Sequence, residues 1–277
     1  MKFDLSKVEF SKKDINKNLK IPLTLTPELS YLIGIHIGDG TMNIYKRDDG
    51  FNGYPIGYSG HLIDEKEFHI EIIKPLFKRL FNQKINLRFD NRKNHSCLNS
   101  YTNSKGIITF LNNIVGVPLG SKKDISIPGI IKNSDLNIKK EFLRGLGDTE
   151  FSLVFKKGYR KKHSYPVIKF STQSKSLQDN VINILREIGF NFYFTSNYKR
   201  LRNGKELFIN MIDINGRKNL DLWIKEVGFK STKHLTKYWI WKRFGFCPPN
   251  TNIIERRKIL KGEININSFH GPVAQPG

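Results

Sequence analysis

Two short stretches constrain this chain more than any other feature. The first is Leu32-Ile33-Gly34-Ile35-His36-Ile37-Gly38-Asp39-Gly40. The second, in the other half of the chain, is Leu143-Arg144-Gly145-Leu146-Gly147-Asp148-Thr149-Glu150-Phe151. Residues four apart share one face of a helix. Gly34 with Gly38, and Gly145 with Thr149, are small residues at that spacing. Each stretch therefore reads as a helix whose backbone another helix can approach closely. Each helix ends at an acid, Asp39 or Glu150, and pairing the helices brings the two acids together at their C-terminal ends.

That arrangement is unfavourable for the protein alone. An acid near the negative end of a helix dipole costs roughly 0.3–1 kcal/mol. Two carboxylates about 4 Å apart repel by ~1 kcal/mol even in water. A divalent cation offsets both. Hard carboxylate oxygens suit Mg²⁺, which keeps waters and takes phosphate oxygens. A cation shared by two acids and a phosphodiester activates water and steadies the leaving oxygen. Asp39 and Glu150 are thus the expected metal-binding, catalytic acids, with Gly38 and Thr149 beside them at the metal.

The order of elements repeats along the chain. Residues 1–25 are a charged arm. Thr26 caps a helix, Pro27 and Glu28 suit its first turn, and it runs to about Gly38. Alternation and periodicity then predict strands over 41–47 and 56–61, a helix over 65–81, a hairpin over 85–90 and 97–103, and a helix over 106–115. A Pro- and Gly-marked linker, 117–136, follows. Then comes a helix over 138–149 with Asn137 as its cap, and strands over 151–156 and 167–173. A helix over 174–188, a hairpin over 192–214 turned at Asn203-Gly204, and a helix over 220–227 complete the pattern. The chain is expected to be α+β, with two pseudo-symmetric αββαββα units at 26–116 and 137–230. Residues 231–277 form a helical extension and tail that pack on the second unit, with Asn250 or Thr251 capping the last helix. A separate helix-turn-helix reader is the rival for that extension.

Charge limits the partners. Lys and Arg number 47 against 25 Asp and Glu, a net charge of +22. This excess disfavours a small neutral substrate and favours a polyanion, nucleic acid first. No apolar stretch is long enough to span a bilayer, so no membrane partner is expected. The polar segment from Met1 to Lys20 has no apolar core resembling a signal peptide. Cys97 and Cys247 make neither a disulfide framework nor a zinc set. A cytoplasmic, prokaryotic or archaeal setting fits.

The two stretches resemble the signature of the LAGLIDADG homing endonucleases in their single-chain, two-motif form. The resemblance spans roughly residues 25–230. It implies antiparallel saddle-shaped sheets lying along the DNA major groove, a monomer, a long asymmetric site on double-stranded DNA, and Mg²⁺ or another divalent cation. By position, Asp39 and Glu150 match the family's metal-binding acids. The motif's earlier acid is not a ligand there, so Asp148 is not carried over; His36 is taken as its counterpart. The closing glycine of the motif is Gly40 in the first copy but Phe151 in the second, where alternation marks it as strand core. Gln173 matches the family's polar residue near the scissile phosphates. His61 holds the equivalent strand end in the first unit, with capping of the next helix as the alternative. A central lysine is also implied, with Lys169 and Lys105 as candidates.

The polar strand faces are expected to meet DNA through Asn43, Tyr45, Arg47 and Ser59 in the first unit. Ser152, Lys156, Lys169 and Ser171 do so in the second. Arg160, Lys199 and Arg202, in the basic runs 156–163 and 198–205, are expected to contact phosphates. The leading reading is a site-specific double-strand DNA endonuclease. An intron-RNA maturase and a regulator without chemistry remain open, although retention of both acids weighs against the regulator. The chain begins with Met1 and does not end in His-Asn, so no intein junction is expected. Residues 271–277 need GC-rich codons in an otherwise AT-rich chain. Those codons can spell the start of a tRNA gene, and the tail is expected to have no role.

Overall fold

The computed structural model describes residues 2–46, 52–90, 96–202 and 204–269; Arg47, Asn203 and 270–277 lie outside them, as does the side chain of Arg202. After α1 (Lys12–Asn16) the first unit opens with α2 (Pro27–Asp39) and β1 (Gly40–Met42). A small pair follows, β2 (Tyr45–Lys46) and β3 (Asn52–Gly53), then β4 (Pro55–His61). A π-helical stretch (Phe68–Ile73) continues as α3 (Lys74–Phe81), followed by β5 (Asn86–Asp90) and β6 (Cys97–Asn103). The unit closes with α4 (Lys105–Thr109), extended by a second π-helical stretch (Phe110–Val115). After α5 (Gly129–Lys132), the second unit is α6 (Leu136–Thr149), β7 (Phe151–Lys156), β8 (Tyr165–Thr172), α7 (Lys175–Ile188), β9 (Tyr193–Arg202), β10 (Lys205–Asn215) and α8 (Arg217–Glu226). The extension is α9 (Thr232–Phe244), α10 (Ile253–Lys261) and a 3₁₀ turn (Ile266–Phe269).

The helix starts follow local chemistry. Thr26 accepts the Leu29 N–H at 3.2 Å and begins α2. Asp135, not Asn137, begins α6 by accepting the Ile138 N–H at 3.0 Å. Ser174 begins α7 in the same way. Asn252 and Glu255 form a reciprocal capping box that begins α10, slightly later than expected.

The two four-stranded sheets have the same order, β1-β4-β6-β5 and β7-β8-β10-β9, and every pairing is antiparallel. The strand expected over 41–47 is broken: β1 stops at Met42, and Tyr45–Lys46 pairs with Asn52–Gly53 instead. Register sorts the faces. Thr41 opposes Gly57, and Ser59 opposes Asn99, which also opposes Arg88. Met42, Ile56, Tyr58 and Leu98 point into the core. In the second sheet Ser152, Lys169 and Asp213 form one cross-strand row, and Phe151, Phe170 and Ile212 form the buried row behind it.

A bulge resets one strand. Ile209 opposes Tyr198, but Met211 opposes Thr195, so β9 carries an inserted residue near Asn197, whose φ is 55°. Beyond it Arg200, not Lys199, shares the face of Ser171.

Between the sheets, α2 and α6 pack backbone to backbone. A Cβ on Gly34 would fall on the Phe142 carbonyl and lie 2.8 Å from the Leu146 nitrogen. One on Gly145 would fall on the Tyr31 carbonyl and lie 3.0 Å from the Ile35 nitrogen. Gly38 abuts Thr149, whose Cβ is 2.7 Å from that imagined atom. Apolar side chains of both helices, both sheets and α9 form one continuous core.

The extension does more than cover the second unit. Its α9 packs near β7, but Lys233 reaches Glu65, Arg256 reaches Asp64 and Arg257 reaches Glu67, all in the first unit. No helix among the described residues is long and apolar enough to cross a membrane.

Gly145→Ala puts a methyl into the backbone of α2. It is expected to lower stability by about 1–3 kcal/mol in urea unfolding. Gly129→Ala, where a Cβ meets nothing within 4 Å, is the matched control and should change stability by no more than ~0.5 kcal/mol.

Candidate active site

Close packing of α2 and α6 delivers Asp39 and Glu150 to one place. Asp39 is the last residue of α2, and Glu150 caps α6. Both are partly buried. Among the described residues, neither carboxylate accepts a hydrogen bond or closes an ion pair, and burial pushes both above their ordinary range. Asp39 is raised to about 7 by burial first, then by the charges of Glu65 and Glu150, against Lys233 and Lys122. Glu150 is raised by burial and opposed by the same two lysines.

The lysines are the part the sequence pattern did not reveal. Lys122, in the segment expected to be a linker, donates to the carbonyls of His36 (3.4 Å), Ile37 (3.1 Å) and Gly38. It thereby caps the C-terminal end of α2, where a cation is favoured. Burial lowers its pKa, while Glu150 and Asp39 raise it. Lys233, in the first turn of α9, donates to Glu65 at 2.6 Å. One signal was available: the step along the chain from Asp39 to Lys122 equals the step from Glu150 to Lys233. The earlier candidates stand elsewhere. Lys105 pairs with Glu9 at 2.5 Å, and Lys169 pairs with Asp213 at 2.9 Å on the sheet face.

A cleft of about 410 Å³ joins Glu150 to Lys122, Gly38, Ser171, Gln173 and Arg200. Gln173 follows β8 directly and is exposed. Thr149 turns its hydroxyl back to the Gly145 and Leu146 carbonyls (3.1 and 3.2 Å). The Gly38 carbonyl is taken by Lys122. His61 is at the matching strand end, with its side chain 49% exposed. Its Nδ1 accepts the N–H groups of Ile63 (3.3 Å) and Asp64 (3.2 Å), so it caps the turn into the next helix.

Asp148 is structural. Its carboxylate accepts from the Tyr31 hydroxyl at 2.6 Å and from the N–H groups of Lys230 and Ser231 at 3.0 and 2.9 Å, which fixes the entry to α9. Counting back from the two acids makes Ile37, not His36, its counterpart. His36 instead matches Gly147, and this explains Phe151. In the first unit the His36 ring is buried beneath Gly40: a Cβ there would be 2.5 Å from Nδ1, which lies 3.0 Å from the Tyr58 hydroxyl. In the second unit Gly147 removes that ring. Trp223 and Phe229 take the space beside Gly147, where a Cβ would lie 2.9 Å from the Trp223 ring, and Phe151 packs on Phe170 (4.8 Å) and on Trp223 (5.1 Å). The non-glycine residue after Glu150 is therefore repacked core.

The remaining predicted contacts fall as follows. Ser59, Ser152, Lys156, Lys169 and Ser171 lie on the open sheet faces, and Lys156 and Lys169 share Asp213. Asn43 and Tyr45 lie beside β1, and Tyr45 is exposed. Arg160 stacks on Tyr159 and Tyr165, 4.6 Å from each ring. Lys199 is displaced by the bulge to the opposite face, where it pairs with Glu206 at 2.5 Å. Arg88, Asn99 and Tyr101, absent from the sequence assignment, line a second cleft with Ser59.

No protein-family model and no curated protein matches this chain. Solved structures do. I-DmoI in complex with DNA and Mn aligns at 17% identity over 74% of this chain and 98% of its own, with a TM-score of 0.51. A mutant of I-SmaMI aligns at 12% identity over 91% and 99%, TM-score 0.52. The chain has the two-motif LAGLIDADG fold. Within that fold the site offers a cation two carboxylates. Among the described residues no group of three or more His, Cys, Asp or Glu is placed to hold a metal. Two unpaired, partly buried hard-oxygen donors fit a cation that retains waters and takes phosphate oxygens.

Gly40→Phe alone forces a ring into His36 and should destabilise the protein by about 1–3 kcal/mol or more. The pair His36→Gly with Gly40→Phe copies the second unit. In a double-mutant cycle it should be less unstable than the sum of the singles by about 1–2 kcal/mol; additive singles reject the exchange.

Proposed function

We infer that this chain is a site-specific, metal-dependent endonuclease that cuts both strands of duplex DNA. The observation carrying the inference is the pair of unpaired carboxylates, Asp39 and Glu150, at adjoining helix ends, flanked by lysines at equal spacing. Two polar sheet faces in a chain of net charge +22 and the fold shared with DNA-bound I-DmoI support the same reading. A pure binding protein gains nothing from two carboxylates set against phosphates.

Asp39 and Glu150 would hold the divalent cation, Mg²⁺ by preference for hard oxygen. When bound, it supplies an acidic water and charge stabilisation at a phosphodiester. The chain's own groups do the rest. Lys122 and Lys233 place positive charge where phosphate charge develops. Gln173, at the mouth of the Glu150 cleft, orients a water or a phosphate oxygen, and His61 offers its free ring edge at the matching place. The rows Ser59–Asn99–Arg88 and Ser152–Lys169 present donors and acceptors to base edges in the major groove. Arg160 and Arg200 serve the phosphates. Two diverged sheet faces read an asymmetric site, and one chain carries both.

Wild-type protein with Mg²⁺ should make discrete double-strand cuts in a plasmid library of host-locus or randomised inserts. Asp39→Asn and Glu150→Gln should each lose them, a drop on the order of 10³-fold, about 4 kcal/mol of barrier. Tight, salt-sensitive binding without cutting by wild type would sink the nuclease reading in favour of a binder.

The pH dependence follows from Asp39. A ligand carboxylate must be ionised, and this one is held protonated up to about 7, chiefly by burial. Calcium affinity, measured calorimetrically, should therefore rise from about pH 6 to about pH 8 and level off above. An affinity flat across that interval means Asp39 is not a ligand.

A further inference from the structure

Glu65 is an acid that the two-acid site does not use. It lies in the turn after β4, with its side chain 14% exposed. One oxygen accepts from Lys233 at 2.6 Å, and the other accepts the His61 N–H, also at 2.6 Å. Burial pushes its carboxyl up, but the Lys233 charge and these hydrogen bonds outweigh burial and hold it below its ordinary value. The matching position in the second unit is not an acid. Glu65 follows His61 at the same interval as Leu177 follows Gln173, and Leu177 lines the Glu150 cleft. The two lysines therefore differ in kind. Lys122 is held by three neutral carbonyls. Lys233 is held by a carboxylate.

The pair is firmly built. Lys233 rides on α9, whose entry is fixed by Asp148. The turn carrying Glu65 is held at Asp64 by Arg256, whose side chain is 1% exposed, and at Glu67 by Arg257.

We propose that Glu65 is a positioning residue that holds and neutralises Lys233, making the two reacting centres unequal, so that the strand beside Lys122 is cut first. This rests on the nuclease reading above. Phosphoryl transfer is assisted by positive charge held against the reacting phosphate. An ammonium already satisfied by a carboxylate at 2.6 Å offers less of it than one held by carbonyl dipoles. The chain therefore carries a built-in order of cutting, with a nicked duplex between the two events.

The test uses full-length protein and a duplex bearing a site recovered from the library, its strands labelled with different dyes. Wild type should cut one strand several-fold faster and accumulate nicked duplex. Glu65→Gln keeps an acceptor for the His61 N–H but removes the charge, and Glu65→Leu copies the second unit. Assayed above the range in which Asp39 titrates, so that it is ionised with or without the Glu65 charge beside it, both should speed the slow strand several-fold, leave the fast strand unchanged and abolish the nicked intermediate. An unchanged strand ratio, or equal slowing of both strands, overturns the proposal. A second readout needs no cleavage. With limiting acetic anhydride and mass spectrometry, Lys233 should be acetylated several-fold faster in Glu65→Gln than in wild type, with Lys122 unchanged. Equal Lys233 rates refute the pairing. Failure of wild type to cut either strand would defeat the nuclease reading and the strand order with it, while the acetylation result would still decide whether Glu65 holds Lys233.

Discussion

The whole arrangement depends on how closely α2 and α6 approach. At Gly34 and Gly145 the space of a single methyl is already occupied by the partner's backbone. No side chain separates the helices there, so their ends converge and two acids from distant parts of the chain meet. Close approach has a further effect. It buries the helix ends, so the carboxylates lose water without gaining a hydrogen bond, and the two lysines offset only part of that cost. The electrostatics of the site are thus a consequence of steric permission a turn and more away.

The repeat is preserved in topology and relaxed in packing. The two sheets share one strand order, yet the space beneath the residue after each acid is filled from opposite sides. His36 fills it under Gly40, and Phe151 together with Trp223 fills it where Gly147 carries no side chain. Such paired exchanges keep the volume of a core constant while its residues change. They also keep the acid's backbone in place, because the exchange happens in the layer behind it. The open sheet faces diverge freely. The first carries uncharged polar groups with Arg88 and Asp90, and the second carries a lysine row around Asp213.

The extension joins what the repeat leaves open. Lys233, Arg256 and Arg257 meet Glu65, Asp64 and Glu67 of one turn in the first unit. Arg256 is buried and its partner Asp64 partly so, and breaking such a pair costs more than removing a surface one. The extension therefore ties the two units together at the edge of the site and places one of its two lysines.

Much of this was legible from residues alone. The small-residue spacing, the terminal acids, the strand alternation and most caps are local signals, and local signals survive in a one-dimensional pattern. So were the positions of Asp39, Glu150 and Gln173 in the fold, because each stands at the end of a regular element. Lys122 and Glu65 were not, since they stand in a linker and a turn, where no period marks which side chain points inward. Which of Lys199 and Arg200 shares the face of Ser171 was not legible either, because a single insertion in β9 inverts every side chain beyond it. Sequence by itself determined the two helices, the duplicated sheets and the acids at their junction. Only the tertiary structure decided which cations flank those acids, and why Phe151 is accommodated, because both depend on atoms brought together from well-separated parts of the chain.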